Sequence, residues 1–261
     1  MLFDIRGRRR HVVRYVYAVL ALLMGASLFL VVGPFNLAGL IGGGGTTSAG
    51  KVLNEQAEKI EKKLVREPED EALLLALTRA RISAAKAETE TNPETGLVLY
   101  TPEGLASLER GLQAWGRYLK QTSEPKTSAA LLVAGSYFSL AEQSGGGLQE
   151  IEKLIGKAAA AQRIAAEAQP TINSLTNLAI YEYYSGDFAA GDRATDEAAA
   201  KAPSKAEGKE VRKQMAEFRK RGEAFQKQKK ELEKEERARG KERAKEALGG
   251  SLLGSSGSPG E

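Results

Sequence analysis

An uncharged interval near the N-terminus constrains this chain more than any other feature. No charged side chain occurs between Arg14 and Lys51, and residues 15–32 within that interval are almost wholly apolar. At a rise of about 1.5 Å per residue, a helix of that length crosses most of a bilayer. A helix buried in a protein core seldom avoids charge over such a distance. The pattern therefore predicts a transmembrane helix over 12–33.

A cleaved signal peptide is the main alternative to a permanent anchor. The apolar region is longer than the usual apolar core of a signal peptide, and no A-x-A cleavage pattern follows it. The chain also has no cysteine, which excludes a lipoprotein attachment site as well as disulfides. These observations favour an uncleaved anchor.

The charges on either side of the predicted span indicate its orientation. Several arginines precede the span, whereas the segment after it carries no charge before Lys51. Positively charged flanks stay in the cytoplasm, so residues 1–11 are predicted to be cytoplasmic and the bulk of the chain extracytoplasmic, at the plasma or inner membrane. The residues that determine this topology are Arg6, Arg8, Arg9, Arg10 and Arg14.

The Gly-rich segment after the span admits two interpretations. Gly45, Gly50 and Lys51 have the spacing of a phosphate-binding loop. Such a loop needs a Ser or Thr after the lysine to hold magnesium, and Val52 stands there instead. The upstream segment is also not the buried strand that such a loop requires. We therefore predict that 34–50 is a flexible linker between the anchor and a folded domain.

The scarcity of candidate catalytic residues argues against an enzyme. His11 is the single histidine and lies among arginines, which leaves no histidine base, catalytic triad or histidine metal cluster. The carboxylates Glu69, Asp70 and Glu71 are more typical of a helix N-terminus, where they complement the helix dipole. The sequence thus predicts a protein that is not an enzyme, with no cofactor, no metal and no small-molecule substrate.

Residues 51–203 have the composition and the periodicity of helices. Ala, Leu, Glu, Lys and Arg are abundant, and apolar residues recur at helical spacing with few β-branched alternations. An amphipathic helix begins the region and ends before Pro68. Prolines and glycine turns then punctuate three pairs of predicted helices, at 69–88 and 103–122, at 126–142 and 148–168, and at 171–184 and 188–202. We predict an all-α domain.

The third helix pair resembles a tetratricopeptide repeat. The match lies in the helix positions, the glycine turn and the final proline, at Leu175, Leu178, Ala179, Gly186, Phe188, Ala198 and Pro203. Glu182, Gly191 and Thr195 depart from the family pattern. A looser form of the pattern runs through the two preceding pairs. The resemblance implies a degenerate α-solenoid of stacked helix pairs over 51–203.

The same resemblance implies a binding surface. In the tetratricopeptide family the first helix of each pair lines a concave groove that binds extended peptides or partner helices. Carried to the third pair, this implies partner-binding residues on one helix face, at Asn173, Asn177, Ile180 and Tyr184. Solvated asparagines and aromatic packing between repeats would explain the same residues without a partner. Similar anchored repeat proteins assist translocation, chaperone or envelope-complex assembly. The expected function is a membrane-anchored scaffold that binds protein partners on the extracytoplasmic side.

A long charged helix is predicted over 204–248, followed by a disordered tail over 249–261. The narrow apolar stripe of this helix, from Val211 to Leu232, is suited to capping the last repeat. Two alternatives remain open, a structural organiser built on a coiled coil and a basic helix that binds anionic lipid or nucleic acid. Interspersed acidic residues and the lack of a sustained heptad favour a cap with a solvated end, and no nucleic-acid partner is expected.

Overall fold

A computed structural model of the protein describes residues 46–93 and 96–253, with the side chains of 50–93 and 96–241. The predicted transmembrane helix at 12–33, the arginines before it and the glycines up to Gly45 lie outside these residues. None of the helices in the described part combines the length and the apolar character that crossing a bilayer requires. The membrane anchor therefore stays a prediction from the sequence.

The described residues form eight α-helices and one two-stranded β-hairpin. The helices are α1 (Thr46–Leu64), α2 (Glu71–Ala87), α3 (Pro102–Gln121), α4 (Thr127–Gln143), α5 (Gly147–Ala168), α6 (Ile172–Ser185), α7 (Phe188–Ala200) and α8 (Lys205–Leu253). The strands β1 (Thr89–Thr91) and β2 (Val98–Tyr100) pair antiparallel between α2 and α3. The prediction of a helical fold is confirmed, and the three predicted helix pairs are α2–α3, α4–α5 and α6–α7.

A β-hairpin stands where the sequence pattern predicts only a loop. Thr89 pairs with Tyr100, and Thr91 pairs with Val98. β-branched and aromatic residues of this kind favour extended backbone, but strands of three residues are too short to give a recognisable alternation. The Thr101 N–H donates to the Glu88 carbonyl at 2.9 Å, which ties the open end of the hairpin to the end of α2. The hairpin is the one addition to the predicted all-α fold among the described residues.

Helix α1 begins at Thr46, earlier than the sequence pattern predicts. Gly50 and Lys51 therefore lie inside a helix, and the last residues of the predicted 34–50 linker are helical. Gly50 is buried against the Glu88 side chain, where a Cβ atom would overlap the carboxylate. Packing of α1 on α2 thus outweighs the low helix propensity of glycine. At its other end the chain stays helical to Leu253, beyond the predicted boundary at 248.

Side-chain caps fix several helix starts. Asp70 Oδ1 accepts a hydrogen bond of 2.7 Å from a backbone N–H in the first turn of α2, the helix N-terminal role predicted for this carboxylate. Thr171 and Ser174 form a reciprocal capping box at the start of α6. Gly186 ends α6 in a left-handed conformation with φ 90°, and Asp187 then caps α7. These caps produce the tight turn that the sequence predicts within the third pair.

Each helix packs mainly on its neighbours in the sequence. Close contacts join α1 to α2, α2 to α3, α4 to α5, α5 to α6 and α6 to α7. In addition, α2 contacts α4, and α8 packs on both α6 and α7. A continuous hydrophobic core, rich in alanine and leucine, runs between these layers. Trp115 anchors this core on α3, where it is 3% exposed and lies 5.3 Å from the Tyr118 ring, centroid to centroid.

Candidate protein-binding surfaces

The four residues predicted to line a concave groove lie along α6, but they do not share an accessible surface. Asn173 is exposed and Asn177 is partly buried, whereas Ile180 and Tyr184 are 4% and 1% exposed. Ile180 and Tyr184 belong to the hydrophobic core. These two side chains are therefore not accessible to a partner, and the prediction that they bind one is wrong. The part of the predicted face at Asn173 and Asn177 remains accessible to a partner.

Helix α8 covers the end of α6 at which Tyr184 lies. The Phe225 ring meets the Tyr184 ring edge-on at a centroid distance of 6.1 Å. Gln226 Nε2 donates to the Tyr184 carbonyl at 3.0 Å. Gly222 allows close approach of the two helices, because a Cβ atom at this position would lie 2.6 Å from the Tyr183 carbonyl oxygen. The apolar stripe of α8 thus packs on the third helix pair and closes this face to a partner.

The tyrosine hydroxyls of α6 lie within the same closed region. The Tyr184 hydroxyl is buried and has no hydrogen-bond partner among the described residues. Burial raises the pKa of Tyr184 to about 12. The Tyr183 hydroxyl donates to Asp192 Oδ1 at 3.0 Å and lies 2.9 Å from Thr195 Oγ1, and burial raises the pKa of Tyr183 to about 12. Neither phenol ionises near neutral pH.

The three departures from the tetratricopeptide pattern all have a packing role in the structure. The buried carboxylate of Glu182 accepts a hydrogen bond from Arg163 of α5. Desolvation raises the pKa of Glu182 even though Arg163 opposes the shift. Gly191 lies beneath the Tyr183 ring, which leaves no room for a side chain, and Thr195 bonds the hydroxyl of that ring. These residues hold α5, α6 and α7 together.

An open cleft of about 250 Å³ lies where the end of α1 meets α2 and α3. Its apolar floor consists of Leu64, Leu77 and Ala114, all of which are buried. Its polar wall is an exposed face of α3 on which the side chains are three and four residues apart. That wall consists of Arg110, Gln113 and Arg117.

The cleft is positively charged because the one acid that lines it is already paired. Glu61 accepts two hydrogen bonds from Arg81, at 3.0 Å and 2.6 Å, and Arg81 is 3% exposed. Arg117 donates to the Pro68 carbonyl at 2.5 Å, so its charge is not neutralised there. Arg110 makes no ion pair with any residue in the described ranges. Two exposed cations above an apolar floor suit a ligand that carries both an acidic and an apolar group.

A second polar cluster lies between α4, α6 and the hairpin. Burial raises the pKa of Glu142, near the end of α4, to about 7. The Glu142 charge also contributes to raising the pKa values of Tyr100 and Tyr181, although burial is the main cause at both phenols. Gln143 Oε1 accepts a hydrogen bond from the Tyr100 N–H at 2.8 Å. One carboxylate beside two phenols lacks the activated nucleophile and oxyanion donors of a hydrolytic site.

Comparisons with known proteins do not assign a function to the cleft or to the second polar cluster. The chain matches no protein-family profile, no curated protein and no solved structure. Among the side chains of residues 50–93 and 96–241, no three His, Asp or Glu are grouped in a way that could hold a metal ion. The cleft on α1, α2 and α3 is the candidate surface on which the proposal below is built.

Proposed function

We propose that the protein is a membrane-anchored, tetratricopeptide-like scaffold that binds protein partners on the extracytoplasmic side of the plasma or inner membrane. The observation that carries this proposal is the open cleft in which Arg110 and Arg117 stand above a buried apolar floor. An acidic side chain of a partner would pair with the arginines while a neighbouring apolar side chain packs on Val65, which also lines the cleft and is 82% exposed. The proposed role is assembly, in translocation, chaperone or envelope complexes, rather than catalysis.

The packing order of the helices supports a repeat architecture. In a solenoid each unit contacts its neighbours, and α2–α3, α4–α5 and α6–α7 pack as successive pairs. Leu175, Ala179 and Ala198, which carry part of the family resemblance, are buried. Helix α8 packs on the last pair at the place where a further pair would otherwise continue the stack. These features favour a solenoid with a polar terminal cap.

The proposed location is supported by the sequence alone. The uncharged interval before Lys51 is long enough for a spanning helix, and the arginines precede it rather than follow it. An anchor in this orientation would hold the cleft close to the outer side of the membrane. A scaffold held there meets other envelope proteins at high local concentration.

A photo-crosslinking side chain at Gln113 tests the cleft in native membranes. Gln113 is exposed between the two arginines, so we expect it to capture a reproducible protein partner, identified by mass spectrometry of the adduct. Replacing Arg110 and Arg117 together by Glu is expected to lower the adduct yield by about tenfold or more, because each charge-assisted hydrogen bond contributes about 1.5–3 kcal/mol.

Two controls separate the cleft from general surface contact. The same crosslinker at Glu167, an exposed residue of α5, should not give the adduct. The double variant Lys59→Glu with Lys120→Glu makes the same charge change at exposed positions outside the cleft, and it should keep the adduct. An adduct that survives reversal of both cleft arginines, or no adduct at all, would contradict the proposal.

A further inference from the structure

The last part of α8 extends beyond the body of the protein. Among the side chains that the structure describes, up to residue 241, the last hydrogen bonds between this helix and other helices join Lys229 to Glu152, at 2.5 Å, and Gln149 to Glu233, at 3.2 Å. Every side chain from 234 to 241 is exposed. At about 1.5 Å per residue, the helix from 234 to its end at Leu253 is about 30 Å long. Helix α8 is thus a rod that is fixed to the body along its first part and projects beyond it.

A line of cations follows one face of this rod. All of its members are exposed, and none forms an ion pair with a described residue. Successive members are separated by three, four, three and four residues, the spacing that keeps side chains on one helix face. We name it the basic stripe, and it consists of Lys227, Lys230, Lys234, Arg237 and Lys241.

The acidic residues of the same segment lie outside the arc of about 80° that the basic stripe covers, and Glu231 and Glu233 border that arc on its two sides. Glu233 faces the body through its hydrogen bond with α5. Glu235 pairs with Arg239 at 3.2 Å on another face. At about 100° per residue, Glu231 lies on the same side of the stripe as Glu235, and Glu236 lies on the opposite side. Basic and acidic residues are mixed along the sequence, but in the folded helix the cations of the basic stripe share one face.

We propose that the basic stripe docks α8 on the anionic lipid headgroups of the membrane that carries the chain, a role that rests on the proposed anchor. Consecutive stripe charges are about 5 Å apart along the helix axis, which is less than the Debye length of about 8 Å at physiological ionic strength, so their fields add. Each basic side chain near an anionic bilayer strengthens binding about fivefold. Cations along a straight rod can all reach a flat charged surface at once.

The composition of the stripe favours a lipid surface over a single-stranded nucleic acid. Binding to single strands relies on aromatic side chains that stack on bases, and the basic stripe contains none. The body also fixes the direction in which the stripe faces, because Gln226 and Lys229 hold α8 on Glu152 beside the first stripe residues. A chain anchored in the same bilayer brings the stripe to that surface at high effective concentration.

The test measures the distance between α8 and lipid headgroups in the full chain. The chain has no cysteine, so Ala238→Cys gives a single site for a donor fluorophore. The labelled chain is reconstituted into vesicles with acceptor-labelled headgroups, made of phosphatidylcholine alone or with added phosphatidylglycerol. We expect stronger energy transfer with phosphatidylglycerol and a loss of that gain at high salt. The triple variant Lys230→Gln, Lys234→Gln, Arg237→Gln is expected to weaken docking about 100-fold.

A charge-matched control removes three cations that are already paired with glutamates, through Lys213→Gln, Lys220→Gln and Arg239→Gln. This variant should retain the energy transfer. Equal transfer in both kinds of vesicle, or transfer that the stripe variant leaves unchanged, would overturn the proposal. Stripe-dependent binding to duplex DNA without any response to phosphatidylglycerol would also overturn it. If alkaline carbonate extracts the chain from the vesicles, the anchor is contradicted but the stripe is not. Flotation of the chain together with phosphatidylglycerol vesicles would then support docking by the stripe, and failure to float with them would overturn it.

Discussion

Glu142 is a mostly buried carboxylate with no cationic partner in the described part of the chain. It lies near the C-terminus of α4, where the helix dipole is negative. Both features disfavour its ionised form. Its pKa is raised from 4.5 to about 7, so the folded protein binds this proton more tightly than the unfolded chain does. The contribution to stability is therefore favourable at low pH and is lost as the pH rises from about 4.5 through about 7.

We predict that Glu142→Gln stabilises the protein at pH 8. The gain should be about 3 kcal/mol, since one pKa unit corresponds to about 1.4 kcal/mol, and it should shrink toward zero near pH 4.5. Urea unfolding of the detergent-solubilised chain, followed by helical circular dichroism, measures this difference. Glu167→Gln, at an exposed position, serves as the control and should show no such pH dependence. A gain that is the same at both pH values would contradict the burial of an unpaired carboxylate.

Single residues also show where sequence patterns stop being informative. Helical spacing places Ile180 and Tyr184 on one face with Asn173 and Asn177, but it does not say what lies against that face. Tyr184 is closed off by Phe225, a residue far along the chain. The cleft arginines were missed for the same reason. Arg110 and Arg117 are seven residues apart on α3, a detectable spacing, but the open floor beside them depends on how α1 and α2 meet.

At the scale of elements, α8 is held against α6 by a close backbone approach. We predict that Gly222→Ala destabilises the protein by about 1–2 kcal/mol, because the added Cβ would overlap the Tyr183 carbonyl and force the helices apart. The matched control is Gly240→Ala, in the exposed part of the same helix, where a Cβ would meet no atom within 4 Å. That change should be neutral or stabilising by up to about 1 kcal/mol, because alanine favours helix more than glycine does. Thermal unfolding compares the two variants, and equal melting temperatures would contradict the packing of α8 on α6.

The helices themselves were largely predictable, because their signals are local. The capping role of Asp70, the Gly186 turn and the prolines between pairs all mark helix ends through nearby hydrogen bonds. The β-hairpin was not predictable from periodicity, since its strands have only three residues each. The early start of α1 was not predictable either. Its first turns include Gly50, and contact with α2 and Glu88 keeps this glycine in the helix.

At the scale of the whole molecule, the two surfaces proposed for binding lie on different helices. The basic cleft lies between α1, α2 and α3, whereas α8 packs on α6 and α7 and then projects as a rod. The proposed scaffold uses both surfaces, with the cleft for a protein partner and the basic stripe for the membrane surface. The solenoid and the anchor remain proposals that rest on the packing order and on the N-terminal sequence.

The most direct test is to determine on which side of the membrane the helical domain lies, because this decides which partners the cleft can meet. The absence of native cysteine allows Glu167→Cys to be the one reactive thiol in the full chain. A maleimide reagent that does not cross membranes should label this residue in spheroplasts and should not label it in sealed inverted vesicles until detergent is added. Labelling only in inverted vesicles, or a chain found freely soluble with its first residues removed, would contradict a scaffold anchored in the membrane and displayed outside the cytoplasm.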